Sequence, residues 1–371
     1  MGSDIRLALA LLDTLALAPD VPEPEGDAMV RRDLWRRYTE AVLPEEAECA
    51  VFWEDNQIEA LQLERPVEEI KAYKARVFDQ LRAYREDGGE ADPEQLEWAV
   101  GVVRGRSFML DPTPEGRGRR RALVPVADLF NHAPESPATY AVLEREGGGD
   151  LENPWQAIVG DDGEEYVDVA AHRSWRAGEE VLLPYGLESG VEMLAAHGVF
   201  LRDNEADYLP LYQDLVELVG DVCEIELGES TDAARAKLEL LEAADAAEAP
   251  LAARPGPIEA SGHLLHCLQV AYCGAEELPL FEDRFDAACG HYTLQWTGEP
   301  ARGAALMARA KGKAAALAQE LLAAQTTTRA QDLAAVGEGG GGLAERRARL
   351  AAAFRAAWKG GLQEFAAQAR G

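Results

Sequence analysis

The segment LVPVADLFNHAPESP, residues 123–137, places three polar side chains directly after an apolar run. The apolar run leads into Asp128, and two further apolar residues precede the pair Asn131 and His132. A buried polar group costs free energy unless it finds a partner. The segment therefore predicts either a satisfied polar network in a core or a binding site.

The composition is that of a globular protein with an acidic surface. The chain has 371 residues, of which 47% are hydrophobic and 28% charged, and this length suits about two domains. The formal net charge is −31. Because phosphate binding needs clustered Lys and Arg, we predict no nucleic-acid partner. The charge favours a basic protein partner, although solubility is the simpler explanation.

Three features of the sequence bear on compartment, membrane contact and metal binding: the cysteines, the apolar N-terminal run and one stretch with two histidines. Five scattered cysteines without a C-x-x-C pair predict a reducing, intracellular compartment and no disulfide framework. The apolar run that contains Arg6 and Asp13 is too short to span a bilayer and does not resemble a signal peptide, so no membrane contact is predicted. The stretch HLLHC, residues 263–267, has a metal-like spacing, but its apolar surroundings favour core packing, so no metal site is predicted.

Periodicity divides the chain into two parts. Residues 5–100 carry helical patterns, and the dipeptide Asp92-Pro93 is typical of a helix start. Residues 101–200 hold short runs with Val, Tyr and Ile, broken by Gly-rich turns, which predict small sheets. An Ala- and Leu-rich helical region follows. We therefore predict an α+β domain over 1–203 and an α-helical domain over 204–371.

Four short motifs occur in register along the first part. They are RGRSF (104–108), ADLFNH (127–132), LLPYG (182–186) and SGVEMLAAHGVF (189–200). In order and spacing they resemble the SET-domain methyltransferases of the plant Rubisco large-subunit type, a group that acts on non-histone proteins. The resemblance covers the layout of residues 5–290. It implies SET-like small β-sheets with a helical insert, followed by an all-α substrate-binding domain.

The resemblance also implies an activity, the transfer of a methyl group from S-adenosylmethionine to a protein lysine. It assigns Arg106 to the cofactor carboxylate, for which a guanidinium fork is well suited. Asn131 and His132 are assigned to the ammonium and adenine ends of the cofactor. Tyr185 is the implied catalytic residue, beside the transferring methyl group. Each of these residues also has a structural alternative, as a surface, turn or core side chain.

Further residues match positions of the family near the substrate. Phe108 and Tyr140 are implied as aromatic walls of the lysine channel, and Asp128 as a neighbour of the substrate. His197 stands where a second Tyr is usual. Since one relative with a different residue there methylates histidine, the target residue remains open between lysine and histidine. His197 can also be an ordinary residue on a helix face.

One part of the family pattern is not found. The family begins with a strand pair containing Gly-x-Gly, and here the first helix starts within five residues of the N-terminus. The triplet at residues 116–118 lies in a polar loop after a different element. A binding module that retains the partner-binding helices without catalysis is therefore the second hypothesis. The resemblance leaves the compartment open between plastid, cytoplasm and nucleus, and it does not name the target protein.

Overall fold

The structure is a computed structural model of the chain. It describes the following residues: 2–16, 35, 37–110, 120–132, 155–159, 165–169, 174–183, 185, 188–202, 204, 206–244, 249–288, 291–337 and 341–370. Tyr140 and the Gly-x-Gly triplet at 116–118 lie outside these ranges. Across the ranges described, no helix is both long and apolar enough to cross a membrane.

The chain forms two compact units, which we describe separately. Unit 1 comprises Met1–Leu201 with Gly337–Ala351, and unit 2 comprises Arg202–Val336 with Ala352–Gly371. Helices and small two-stranded sheets occur together in both, which confirms the predicted α+β class. The domain division after residue 203 stays a prediction.

The core of unit 1 is helical. Its helices are α1 (Ser3–Ala16), α2 (Asp55–Glu59), α3 (Glu64–Glu86), α4 (Pro93–Arg106) and α5 (Gly190–His197), and residues 37–42 are also helical. The apolar faces of α1, α3 and α4 pack together, with Ile5, Leu81 and Leu96 almost fully buried. This packing fixes the direction in which α4 delivers its last residues.

Helix α4 begins where the sequence predicts and ends at the candidate site. The Asp92 side chain accepts a hydrogen bond from the Gln95 backbone N–H at 3.0 Å, and Pro93 occupies the first turn. The helix ends at Arg106, and the chain continues directly into a strand at Ser107. A rigid helix end therefore positions the predicted RGRSF residues.

Three small sheets occur among the described residues of unit 1. Strand β1 (Ser107–Leu110) pairs antiparallel with β2 (Arg120–Leu123), β4 (Trp155–Val159) pairs antiparallel with β5 (Glu165–Val169), and β3 (Asn131–His132) pairs parallel with β6 (Leu182–Leu183). The parallel pair aligns His132 with Leu183. It therefore brings the ADLFNH motif beside the LLPYG motif, which is 50 residues away in the sequence.

Unit 2 is mainly helical, but two antiparallel strand pairs in it depart from the all-α domain that the resemblance implies. Its elements are β7 (Leu209–Pro210), α6 (Leu215–Val219), α7 (Thr231–Ala243), β8 (Ala252–Ala253), α8 (Gly262–Tyr272), β9 (Phe281–Asp286), β10 (His291–Trp296), α9 (Pro300–Ala323) and α10 (Arg329–Val336). The last helix, α11 (Leu343–Arg370), contributes its residues from Ala352 onward to this unit. Helix α8 is buried over almost its whole length, and the HLLHC stretch lies on it. Within the described ranges, no group of three or more His, Cys, Asp and Glu side chains could hold a metal ion.

A charged cluster is buried in unit 2. The Asp332 side chain is only 1% exposed. Its Oδ1 accepts hydrogen bonds from Arg355 Nε at 2.8 Å and from the Thr327 hydroxyl at 2.9 Å. Its Oδ2 accepts one from Lys359 Nζ at 2.6 Å. Both carboxylate oxygens are thus paired, as a buried ion requires.

The described cysteines are reduced and buried. Cys49 lies in unit 1, and Cys223, Cys267 and Cys273 lie in unit 2. Burial raises the pKa of the Cys49 thiol to about 12 and that of the Cys223 thiol to about 11. These thiols are therefore protonated at neutral pH and unreactive.

Candidate active site

A cavity of about 270 Å³ lies in unit 1, where α4 passes into β1. Five of the eight predicted site residues line it: Arg106, Phe108, Asp128, Tyr185 and His197. They come from distant sequence segments (Gly105, beside Arg106, and His197 are 92 residues apart), yet the helix end, the parallel strand pair and α5 bring them to one place. The cavity is therefore the candidate active site.

A buried carboxylate dominates one wall of the cavity. The Asp128 side chain is 1% exposed, and its Oδ2 accepts a hydrogen bond from Arg106 Nη1 at 3.1 Å. The same oxygen accepts a second hydrogen bond from the Tyr38 hydroxyl at 2.5 Å. The other oxygen, Oδ1, is buried and has no hydrogen-bond partner among the described residues. An unpaired buried carboxylate oxygen is costly, which makes it a candidate ligand contact.

The backbone before Asp128 is strained. Val126 has φ 77° and ψ −45°, a left-handed γ-turn region that is rarely adopted by a β-branched residue. The turn leads into a single 3-10 turn, Ala127–Leu129, that carries Asp128. The Val126 side chain itself is 63% exposed, so packing does not explain its conformation. Backbone strain of this kind is concentrated at functional sites.

Tyr185 is fixed through both its backbone and its hydroxyl. Its backbone N–H donates to His132 Nδ1 at 2.9 Å, and its hydroxyl donates to the Phe130 carbonyl at 2.6 Å. Burial raises the pKa of Tyr185, so the phenol keeps its proton at neutral pH. A phenol that donates its single proton to a carbonyl still has oxygen lone pairs that can accept.

His132 supports Tyr185. Because its Nδ1 accepts a backbone N–H, that nitrogen carries no proton, and the ring is neutral. Burial, with a smaller contribution from His197, lowers the pKa of His132 to about 4. The His132 and Tyr185 rings lie with their centroids 5.0 Å apart. His132 thus reaches the site through Tyr185, and its predicted contact with the cofactor stays a prediction.

His197 packs on the other side of the Tyr185 ring, at a centroid distance of 5.1 Å. Its Nδ1 lies 3.1 Å from the Gly105 carbonyl oxygen, which can only accept, so Nδ1 carries a proton. Its Nε2 lies 3.3 Å from a carboxylate oxygen of Glu188, which also lines the cavity. A capping box between Ser189 and the third residue of α5 fixes the helix that ends at His197.

The structure places the remaining predicted residues differently. Phe108 is 6% exposed and packs in a small core with Leu110 and Ala127, so its ring is both a core residue and a cavity wall. The side-chain amide of Asn131 is exposed and donates to Glu180 at 2.6 Å, so the structure does not bring it to the cavity. Its cofactor contact stays a prediction, and the substrate role of Tyr140 falls outside the described residues.

Arg106 also differs from its predicted state. We expected the guanidinium to be available for a cofactor carboxylate, but one of its N–H groups is engaged by Asp128. The physical reason is local, because a buried carboxylate needs a cationic partner. The Arg106 side chain is 28% exposed and lines the cavity, so it remains accessible.

Tyr38 reaches the site through Asp128 and was not selected by sequence reasoning. It lies in the run LWRRYTEAVLP (34–44), within the predicted helical part of the chain, and its partner Asp128 is 90 residues further along. Among the lining side chains that were not predicted are Arg104 and Arg121, which share Asp4 as an ion-pair partner at 3.0 Å each. The wall near α4 is therefore rich in arginine.

The arrangement suits a ligand that carries a positive and a negative charge. The lining includes two acidic residues, Asp128 and Glu188, and the basic residue Arg106. Tyr185 adds a neutral phenol held by two hydrogen bonds. A zwitterionic amino-acid group or an amine can be oriented by such a set.

Comparisons with known proteins can be set beside this geometry. No family model matches the chain. The chain is 24% identical over 181 residues to the large-subunit N-methyltransferase of ribulose-1,5-bisphosphate carboxylase/oxygenase from Pisum sativum, covering 46% of this chain and 34% of that protein. It is 27% identical over 183 residues to the fructose-bisphosphate aldolase-lysine N-methyltransferase of Arabidopsis thaliana, with coverages of 46% and 34%.

A third relative acts on a different residue. The chain is 26% identical over 185 residues to the actin-histidine N-methyltransferase of Homo sapiens, covering 47% of this chain and 28% of that protein. The alignments thus span about a third of the length of these curated relatives.

Solved structures share the fold over nearly the whole chain. The SET domain of LSMT bound to methyllysine and AdoHcy matches with a TM-score of 0.55 at 18% identity, covering 98% of this chain and 74% of that one. The same domain bound to lysine and AdoHcy gives a TM-score of 0.53. The chain therefore has the SET-domain fold, which confirms the predicted architecture. Within that class, it resembles the Rubisco large-subunit methyltransferase type in sequence and fold.

Proposed function

We propose that the protein is a methyltransferase that moves a methyl group from S-adenosylmethionine to a lysine side chain of a non-histone protein. The observation that carries the proposal is the cavity, in which Tyr185, Asp128 and Arg106 meet. The names of the relatives support transfer to a protein, since all three are protein N-methyltransferases.

The residues present fit this cofactor. Its amino-acid end carries a carboxylate and an ammonium, and the sulfonium adds a positive charge. Arg106 would hold the carboxylate, while Glu188 gives the cavity an acceptor for a positively charged group of the cofactor. When bound, the cofactor supplies an electrophilic methyl group. Tyr185 offers oxygen lone pairs for weak C–H···O contacts to such a methyl group.

The attacking amine must be neutral. A lysine with an unperturbed pKa of about 10.4 requires roughly 3 kcal/mol for deprotonation at pH 8. Apolar surroundings lower the pKa of a lysine, as does a neighbouring positive charge. Phe108 supplies an apolar wall and Arg106 a positive charge. These two effects favour the neutral amine without a dedicated base, while the carboxylates of Asp128 and Glu188 act in the opposite direction.

Histidine is the second candidate target. One of the relatives is named for actin-histidine methylation, and His197 occupies the position where a second Tyr was expected. An imidazole target presents a neutral nitrogen at pH 7 and needs no deprotonation. The His197–Tyr185 ring packing would then form one side of a flat slot.

We further propose that the target protein is basic and that unit 2 takes part in binding it. The net charge of −31 favours a basic partner. The alternative is a protein that binds its partner without turnover.

Calorimetric titration of the full chain with S-adenosylmethionine tests the proposal. We expect micromolar binding that is lost in Arg106→Ala, and retained in Tyr185→Phe with methyl transfer strongly reduced. Arg82→Ala is the matched control, because Arg82 is 65% exposed and pairs with Asp79 on the surface of α3. Absence of binding to the folded wild-type chain would overturn the enzyme proposal and leave the binding module.

A further inference from the structure

The two oxygens of Asp128 are in unlike environments. Oδ2 receives both available donors, from Tyr38 and Arg106, although one carboxylate offers about four acceptor positions. Oδ1 belongs to a side chain that is 99% buried and lines the cavity, yet it has no partner within the part of the chain that the structure describes. Such an atom indicates a donor supplied by a ligand.

Tyr38 is built as a fixed donor. It is 5% exposed, and its ring packs edge-on against Trp35 at a centroid distance of 5.5 Å. Burial, followed by the hydrogen bond to Asp128, raises the pKa of Tyr38 above its ordinary value. The hydroxyl therefore retains its proton and can only donate to Oδ2. The partly exposed Arg106, in contrast, can turn toward a ligand carboxylate.

We propose that Tyr38 is a positioning residue that holds Asp128 so that Oδ1 accepts an N–H of the incoming target side chain. The inference rests on the proposed function for the identity of that ligand, an amine or ammonium. When Arg106 engages a ligand carboxylate, Tyr38 remains to keep the Asp128 carboxylate in place. The strained turn at Val126 leads into the 3-10 turn that carries Asp128, and the Tyr38 hydroxyl holds the carboxylate itself.

The first test uses n-butylammonium chloride as a probe that mimics the end of a lysine. The full chain carries aspartate labelled at the carboxyl carbon, and Asp128→Asn assigns the NMR signal of Asp128. We expect this signal to shift saturably with the probe, and Tyr38→Phe to weaken the apparent affinity at least fivefold. Tyr84→Phe is the matched control, because the Tyr84 hydroxyl accepts a hydrogen bond from the backbone of Ala91 elsewhere in unit 1.

A second variant separates the hydroxyl from ring packing. Trp35→Phe loosens the edge-on contact but keeps the Tyr38 hydroxyl, so it should bind the probe as Tyr84→Phe does. The proposal is overturned if the wild-type Asp128 signal does not respond to the probe, or if Trp35→Phe weakens binding as much as Tyr38→Phe. Neither outcome depends on methyl transfer, so a failure of this proposal can be distinguished from a failure of the proposed function.

A kinetic arm distinguishes the two possible sources of the N–H group. If the donor belongs to the target, Tyr38→Phe raises KM for the target at least fivefold and leaves kcat and the affinity for S-adenosylmethionine near their wild-type values. A loss of cofactor affinity with unchanged KM for the target would assign Oδ1 to the ammonium of the cofactor and overturn the proposal.

Discussion

Two buried aspartates, one in each unit, have the same exposure and opposite degrees of pairing. Asp128 and Asp332 each expose 1% of the side chain. Asp332 has donors on both oxygens, from Arg355, Thr327 and Lys359. Asp128 has both of its donors on one oxygen. The two side chains are therefore equally buried, but only Asp332 has a hydrogen-bond donor on each oxygen without a ligand.

The difference indicates what each unit does with a buried charge. A fully hydrogen-bonded cluster holds helices α10 and α11 together and leaves nothing for a ligand to satisfy. A half-paired carboxylate stabilises the fold less and is ready to bind. The four predictions that follow test this contrast, in order of decreasing effect.

Removing the complete carboxylate should have the largest effect. Asp332→Ala leaves Arg355 and Lys359 buried without their counter-charge, and we expect a loss of about 3–5 kcal/mol in the free energy of unfolding, measured by urea titration. Asp79→Ala, which breaks an exposed pair on α3, is the control and should change it by less than about 1 kcal/mol. If Asp332→Ala lowers the free energy of unfolding by less than about 1 kcal/mol, the two aspartates do not differ in their contribution to stability.

Acid should affect the two sites at different pH values. The pKa of His132 is lowered to about 4, so protonation favours the unfolded chain below pH 6.5, and stability falls between about pH 6.5 and 4. We expect a loss on the order of 2 kcal/mol over this window. Hydrogen bonds from Lys359, Arg355 and Thr327 outweigh burial and lower the pKa of Asp332.

Asp332 therefore keeps its contribution until the pH falls below about 4, the usual aspartate value. Urea titrations across pH should give a flatter profile between pH 6.5 and 4 for His132→Gln than for the wild type. Asp332→Asn should instead change the profile mainly below that window. Equal slopes in wild type and His132→Gln would contradict the assignment of the loss to the neutral imidazole.

The strained turn before Asp128 should yield a smaller, stabilising effect. Val126→Gly removes strain of about 1–3 kcal/mol but adds unfolded-chain entropy, so we expect a net gain of about 1 kcal/mol. Val216 in α6 is equally exposed, at 62% against 63%, but it has helical geometry. Val216→Gly should therefore lower stability by about 0.5 kcal/mol. Thermal unfolding of both variants shows whether each substitution raises or lowers stability. A loss of stability in both would contradict backbone strain at Val126.

The smallest change in stability is expected at the half-paired carboxylate. Asp128→Asn removes a buried charge whose Oδ1 lacks a partner in the described structure, which offsets the loss of the charged contact with Arg106. We expect the free energy of unfolding to change by less than about 1 kcal/mol. Binding of the n-butylammonium probe should weaken at least tenfold, measured by calorimetric titration because this variant lacks the Asp128 signal. A destabilisation equal to that of Asp332→Asn would mean that Asp128 is structural.

The sequence predicted what depends on local pattern. The start of α4 at Asp92-Pro93 follows from capping chemistry, and strands β4 and β5 follow from the short runs with Val, Tyr and Ile that predicted small sheets over residues 101–200. The four motifs in register predicted the SET fold, which the structural comparison confirms. Five of the eight predicted site residues line the same cavity.

The sequence did not predict contacts made over long separations. Tyr38 and Asp128 are 90 residues apart, and nothing in either segment shows that one donates to the other. The direction of the Asn131 side chain depends on Glu180, which is 49 residues away. The positive φ of Val126 could not be predicted either, because a β-branched residue argues against that conformation.

The buried thiols have a practical consequence. Cys49 in unit 1 and Cys223, Cys267 and Cys273 in unit 2 react with an alkylating reagent only after their surroundings open. Once Cys289 is replaced by Ser, the rate of alkylation at each thiol, read by mass spectrometry, reports how often that unit opens. The buried cysteines therefore report local opening of each unit without an added label.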